Sequence, residues 1–257
     1  MNTTKILGFA LCALTVLAGC GPANDTAVDG KSPAKPLKMI TEATFPPYEF
    51  LRGQEIVGID VEICRAVAQK LNRPFSAETV DFDSVIPAVI SGKADLAAAG
   101  ITITEDRKKN VDFSIPYVKT GIVVIYKKSN PFKDTEQLKG KKVGVQSGTT
   151  SETFVLEQLK QEPERTKSPA EATASLKSGR VDFVIADIDP AKNCVKGEED
   201  LAISDFITSE EYAIAIKKGQ PALLQAINDT ITELKANGKL AEWVKQFTEE
   251  SDKLKDK

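Results

Sequence analysis

The chain has no histidine and one tryptophan among its 257 residues. Without imidazole there is no histidine general base, no Ser-His or Cys-His nucleophile pair, and no histidine-built zinc site. Cysteine is also scarce. Of the four, Cys12 and Cys20 fall at the start of the chain, and the distance between Cys64 and Cys194 fits no metal or redox spacing. Cys64 stands beside Ile63 and near Val67 in a helical pattern, which predicts a buried thiol. There is no basic excess. The 34 Lys and Arg face 37 Asp and Glu for a formal charge of −3, which argues against a nucleic-acid partner. The apolar run 6–18 is too short to span a bilayer as a helix.

That run has the length of a signal h-region, follows Lys5, and closes on Leu17-Ala18-Gly19-Cys20. The closing residues resemble the bacterial lipobox. The resemblance implies that 1–19 is a lipoprotein signal peptide, that cleavage precedes Cys20, and that Cys20 carries lipid. Two or more acyl chains on one cysteine give the stable anchoring that a single chain does not. Loss of Lys5 with the signal takes the charge from −3 to −4. Residues 20–36, rich in Gly, Pro, Ala and polar groups, read as a flexible tether. The folded part runs from about 37 to 247, long enough for two lobes, and the closing SDKLKDK reads as a solvated tail.

Within the folded part, apolar strand patterns alternate with helical ones. Strands are expected at 37–40, 75–80, 95–99, 121–127, 142–146, 181–186 and 213–216, with helices at 60–71, 84–90, 169–176, 221–236 and 240–247. This is the pattern of βαβ units and a largely parallel sheet, whose ligands sit beyond the carboxyl ends of strands. Glu42, Phe45, Phe82, Gly100 and Thr102 all fall at or just after such ends. The two prolines of FPPYEF, 45–50, forbid regular helix and predict an ordered loop, whose aromatics are either core or site. Asp60 suits a helix N-cap. The SGKADL and SGRVDF segments, 91–96 and 178–183, echo one another at equivalent helix-to-strand junctions.

The stretch GITITEDRKK, 100–109, is the most informative. Thr104 fits an N-cap, and Glu105 and Asp106 sit where the helix dipole favours acids, yet Arg107 is in the same first turn. Two readings stay open. Arg107 pairs with a surface acid such as Glu105 or Asp106, or it joins Thr102 and free backbone N–H groups in gripping a carboxylate. A second strand–Gly–Thr–helix junction at 146–151 lacks the spacing of a phosphate-binding loop. Asp187 follows the strand 181–186, with Asp189 and Pro190 expected to open the next helix. Asp187 is either a turn former or a site residue.

Together FPPYEF, VGIDVEICRAVAQKL, FDSVIPAVISGKADL, GITITEDRKKNVDFSIPY, VGVQSGTT, GRVDFVIAD and LKANGKLAEWVKQF closely resemble the bacterial extracellular solute-binding proteins of family 3, over nearly all of 37–247. The resemblance implies an α/β, periplasmic-binding-protein type II fold. Two lobes with mixed, mostly parallel sheets would be joined by a two-strand hinge near 120–125 and 211–216. Lobe one would be 37–121 plus 213–257, and lobe two 122–212. It implies an amino acid held between the lobes. Arg107, with the backbone at Thr102 and Thr150, would grip the carboxylate, and Asp187, with the Gly100 carbonyl and Thr102 hydroxyl, the ammonium. Phe45 and Phe82 would flank the side chain, and Glu42 would reach toward its end. Gln146 and Ala186 replace a lysine and a histidine of the glutamine-binding members, which leaves glutamine and the basic amino acids as leading ligands. The expected protein is a monomer without cofactor, metal or catalytic residue. It would be lipid-anchored outside the cytoplasm and deliver its ligand to an ABC-transporter permease. A ligand sensor and a dehydratase-type enzyme are the alternatives on this fold.

Overall fold

The computed structural model describes residues 34–255, so the signal peptide, Cys20 and the tether as far as Pro33 lie outside the described residues. The strands form two main sheets and a small one. The first main sheet runs in the order Phe75–Thr79, Leu37–Thr41, Leu96–Ala97, Ala215–Lys217, Val111–Phe113. Its first three strands are parallel, and Ala215–Lys217 is antiparallel to both of its neighbours. The second runs Glu164–Thr166, Val143–Gln146, Phe183–Asp187, Val118–Lys127, Leu201–Ile203, and Thr208–Tyr212 also pairs with the long strand Val118–Lys127. The chain thus passes from the first sheet to the second through Val118–Lys127 and returns through Thr208–Tyr212. These run antiparallel, from Thr208 opposite Ile122 to Tyr212 opposite Val118.

Each main sheet is covered on both faces by apolar clusters, as parallel strands require. The helix Ile59–Lys70 buries Ile59, Ile63 and Val67, one stripe at helical spacing. It packs on Pro221–Ala236, whose Leu223, Ile227, Ile231 and Leu234 are buried. Burial of a side chain of this kind contributes about 1.5–3 kcal/mol, so the two stripes dominate the stability of this layer. Cys64, on the first of these helices, is a fully buried thiol whose pKa burial raises well above its ordinary value, with Asp60 and Glu49 adding to the rise.

Four local expectations change. The prolines of 45–50 do exclude helix, but the segment is a turn of a small antiparallel sheet rather than a loop. Thr44–Phe45 pairs with Glu49–Arg52, and that strand with Glu55–Val57. Pro46 and Pro47 take the connection, where no ladder N–H is needed. Asp60 is not a cap. Gly58 occupies that position at φ +134°, leaving Asp60 to point inward. Asp189 is not a cap either, because the helix Ile188–Val195 starts one residue earlier. The C-terminal segment is no solvated tail as far as it is described. The last helix runs Lys239–Lys255, Ser251 is buried, and Asp252 pairs with Lys196 at 3.0 Å.

Candidate functional site

Four strands bring their carboxyl ends to one cleft. Leu37–Thr41 leads to Glu42, and Leu96–Ala97 leads to Gly100 and Thr102. From the second sheet, Val143–Gln146 ends on Gln146 and Phe183–Asp187 ends on Asp187. The facing ends touch. Gly148, at φ +78°, lies so close to Asp83 that a Cβ there would sit 2.9 Å from its Cα. A side chain at this position would hold the two sheets apart.

Arg107 occupies one end. Thr104 caps the one-turn helix Glu105–Lys108 by accepting from the Arg107 amide at 3.1 Å. The guanidinium turns back over the turn. It donates through Nη1 to the Thr102 carbonyl at 2.8 Å and through Nη2 to the Gly148 carbonyl of the second sheet at 2.9 Å. Its Cζ lies 5.6 Å above the Phe82 ring, a cation–π distance. Burial lowers its pKa, and the charges of Glu210 and Asp187 act against that. The surface-pair reading is excluded, because Glu105 pairs with Lys108 and Asp106 with Lys109.

Asp187 occupies the other end and is 7 % exposed. Its carboxylate makes no cap bond to the helix that follows, so it is not a turn former. Instead Oδ1 accepts from the Tyr212 hydroxyl at 2.7 Å. Burial, then the charge of Glu210, pushes its pKa up to about 7, while Tyr212 and Arg107 pull the other way.

Between the two charges, the Phe45 ring closes on Gly100. That glycine has φ +55°, and a Cβ there would meet Phe45 Cε1 at 2.6 Å. Phe45 lies 5.8 Å from the Tyr48 ring and 6.2 Å from that of Tyr212, so it is packed as well as facing the cleft. Glu42 is buried. Its Oε1 accepts from the Thr44 hydroxyl at 2.6 Å, whereas Oε2 is buried without a hydrogen bond. Burial raises its pKa, tempered by Thr44 and by Gln146 facing it from the second sheet. The Gln146 amide donates to the Lys167 carbonyl at 2.9 Å. Thr150 opens the helix Thr150–Glu157 and lines, with Thr102, a cavity of about 850 Å³ on the hinge side.

Contacts join candidate residues across the facing strand ends, Arg107 over Phe82, Phe45 against Gly100 and Glu42 facing Gln146, but their polar groups are not all open. The Thr102 hydroxyl donates to Glu210 Oε2 at 2.6 Å, and Arg107 is held by two carbonyls. Glu210 and Tyr212 were not anticipated, Tyr48 only among the core-or-site aromatics of 45–50, and Asp189 only at a helix start. Tyr48 donates to Asp189 Oδ2 at 2.8 Å, and Asn193 to the Pro46 carbonyl at 2.9 Å, so both bonds cross between the sheets. Tyr212 follows two acids immediately before an apolar strand, which offers a weak signal of a buried hydroxyl. Nothing in the sequence marks Glu210. Among the described residues no group of three or more His, Cys, Asp and Glu is placed to hold a metal ion.

Residues 37–250 match the family described as bacterial extracellular solute-binding proteins, family 3. The arginine-binding extracellular protein of Bacillus subtilis is 34 % identical over 254 residues, covering 96 % of this chain and 98 % of that one. A solved amino-acid ABC transporter substrate-binding protein from Streptococcus pneumoniae, bound to L-arginine, is 35 % identical with a TM-score of 0.77, covering 84 % and 95 %. An ancestral arginine-binding protein is 41 % identical and has been solved bound to arginine, with a TM-score of 0.76 and coverage of 82 % and 97 %. It has also been solved bound to glutamine, with a TM-score of 0.75 and coverage of 82 % and 96 %. With the two sheets, the paired crossing strands and the cleft between them, the chain has the type II periplasmic-binding-protein fold and belongs to the bacterial extracellular solute-binding proteins of family 3.

Proposed function

We propose that this protein binds a polar L-amino acid between its two sheets and delivers it to an ABC-transporter permease. The observation that carries this reading is the pair of opposite charges at facing strand ends, Arg107 in the first sheet's connections and Asp187 in the second. A zwitterion needs both at once, so its binding favours the closed arrangement, where exclusion of water strengthens each contact. In this reading lobe one is 37–121 plus 213–257 and lobe two is 122–212, hinged on Val118–Lys127 and Thr208–Tyr212.

The side chain is a basic one, arginine first. Glu42 is a buried acid whose pKa burial raises despite hydrogen bonds from Thr44 and Gln146, and a guanidinium or ammonium beside it would favour its ionised form. Named relatives bind arginine, and glutamine is the second candidate because the ancestral relative accepts it. The named relatives are binding proteins, and Asp187 acts here as a counter-ion rather than as a general base. The lipobox-like Cys20, outside the described residues, would tether the protein, as a monomer, to a membrane outside the cytoplasm, in the periplasm or at the outer face. Among the described residues no helix is long and apolar enough to cross it.

The test is a thermal shift of the signal-free protein with each common amino acid. A ligand at a hundred times its dissociation constant stabilises by about 2.7 kcal/mol. For a chain of this size that is a rise of roughly 5–10 °C. Arginine should give the largest shift and Arg107→Ala should remove it. A flat panel overturns the reading, and turnover of a bound amino acid would replace it with an enzyme.

A further inference from the structure

We propose that one face of the helix Ile188–Val195 is a latch that holds the cleft closed from outside the ligand site, so that Tyr48, Asp189 and Asn193 set the affinity for every ligand without touching any. The proposal rests on the amino-acid reading above and adds affinity-setting residues beyond the expected ligand contacts.

The helix has two opposite faces. Ile188, Ala191, Cys194 and Val195 pack into an apolar cluster on the second sheet. Asp189, Asn193 and Lys196, which follows the last turn, are four and three residues apart. That spacing places them on one side of the helix, away from the cluster. Each of the three meets a group attached to the first sheet. Asp189 Oδ2 accepts from the Tyr48 hydroxyl at 2.8 Å. The Asn193 amide donates to the Pro46 carbonyl at 2.9 Å. Lys196 pairs at 3.0 Å with Asp252 of the last helix, which packs on Ile59–Lys70 and Pro221–Ala236. This third pair is exposed and adds little, so the latch rests on the first two bonds.

The receiving surface is rigid. Tyr48 is buried, its ring edge to face with that of Tyr212 at 5.1 Å between centroids, and its hydroxyl is the part that reaches the helix. The Asp60 amide donates to the Tyr48 carbonyl at 3.0 Å, and the Ile59 amide to the Pro47 carbonyl at 3.2 Å. Gly58 lets the chain come that close, since a Cβ there would sit 2.1 Å from the Tyr48 carbonyl oxygen. The rings of Pro46 and Pro47 fix φ on either side of the accepting carbonyl. A surface held in this way loses little freedom when the helix docks, so each bond keeps more of its strength.

The helix starts directly after Asp187, the residue expected to hold the ligand ammonium. Ligand contact and latch therefore move as one body. Closure that brings Asp187 to a ligand also brings Asp189 to Tyr48 and Asn193 to Pro46. The apparent affinity is the intrinsic affinity of the closed arrangement scaled by its population, so bonds made in that arrangement alone tighten every ligand alike. They form after the encounter, so they slow release rather than speed capture.

The experiment measures binding of L-arginine and L-glutamine by calorimetry and stopped flow for wild type, Asn193→Ala and Tyr48→Phe, together with urea unfolding of each ligand-free protein. Asn193→Ala should weaken both amino acids by about fivefold, and Tyr48→Phe, whose bond reaches a carboxylate, by at least about tenfold. For each variant the factor should be the same for the two amino acids and should lie in faster dissociation. Urea unfolding of the ligand-free variants should match wild type. Unequal factors for the two amino acids would make these residues ligand contacts and overturn the latch, as would a loss carried by slower association. An affinity loss matched by an equal loss of ligand-free stability also overturns it, because the bonds would then hold the fold and not the closure. Unchanged affinity in both variants overturns the latch and leaves the amino-acid reading standing. If wild type binds no amino acid, the amino-acid reading falls and the latch with it.

Discussion

Asp60 and Asp187 are both buried aspartates near the carboxyl ends of strands, and burial is the first cause raising the pKa of each, to about 6 and about 7. What surrounds them differs. Asp60 Oδ2 accepts from the Gly100 amide at 3.0 Å, and its other neighbours are Glu49, Tyr48, Tyr117 and the Cys64 thiol. Glu49 is fully buried with Asp60 as its hydrogen-bonding neighbour, and the charges acting on it are those of Asp60, Glu42 and Asp187. The causes that raise Glu49 are burial and acids, so a proton that Glu49 keeps and shares with Asp60 satisfies the pair. Asp187 instead has a hydroxyl donor and the positive charge of Arg107 across the cleft. Burial alone does not make a site. A buried acid walled in by acids stores a proton, and one that faces a donor and a cation across a cleft awaits a ligand.

The sharpest way to break this contrast is to neutralise each aspartate. Asp187→Asn should weaken amino-acid binding by at least about thirtyfold, in line with the 2–5 kcal/mol lost when one partner of a buried charged contact is removed. Asp60→Asn keeps an acceptor for the Gly100 amide and should leave affinity little changed. Calorimetry reads both, and equal losses would erase the distinction. Tyr212→Phe should come next. It removes the donor to Asp187 and leaves a buried acceptor unmet, a loss of about 1–3 kcal/mol of stability measurable by urea unfolding. Because Tyr212 lowers the pKa of Asp187, the variant should also lose affinity at a higher pH than wild type as pH falls.

The sequence showed Asp187 but not what makes it different from Asp60. Strand ends, the Thr104 cap and the stripe of 223–234 were legible, because period, caps and turn residues are local properties of the chain. Arg107 as a cation in a first turn was a local conflict, and the structure resolves it through a carbonyl on the other sheet. Glu210 and Tyr212 were not legible, because their partners Thr102 and Asp187 lie 108 and 25 positions away and meet them only once the hinge strands pair. The inward turn of Asp60 was missed for a similar reason. An aspartate two residues after a glycine reads as a cap until the glycine proves to hold that position itself.

The acid pair also makes a prediction about stability. Glu49 is pushed well above the ordinary carboxylate range by burial, so the folded chain keeps its proton where the unfolded chain has released it. An acid raised in this way contributes stability that is fully present below its unfolded pKa of about 4.5 and is lost as pH rises toward the folded value. Glu49→Gln preserves the shape and removes the titration. It should therefore match wild type below about pH 4.5 and be more stable at pH 8 by about 1 kcal/mol, a Tm rise of about 2–4 °C. A Gln variant that matches wild type below about pH 4.5 but is less stable than it at pH 8 would mean that Glu49 is ionised in the fold.

The smallest effect belongs to the rim of the cleft. Lys167 and Asp81 bridge the two sheets at 3.1 Å, but their side chains are 72 % and 58 % exposed. An exposed pair of this kind contributes about 0–1 kcal/mol and is screened by salt. The part-buried bond from Tyr48 to Asp189 crosses the same cleft with less of that screening. Lys167→Ala should change amino-acid affinity by less than about fivefold, and raising salt should remove even that difference. Tyr48→Phe should cost more, and its cost should be less sensitive to salt, because it leaves Asp189 Oδ2 without its donor. A salt-independent loss in Lys167→Ala as large as that of Tyr48→Phe would mean that the exposed rim, and not the buried hydroxyls, holds the cleft shut.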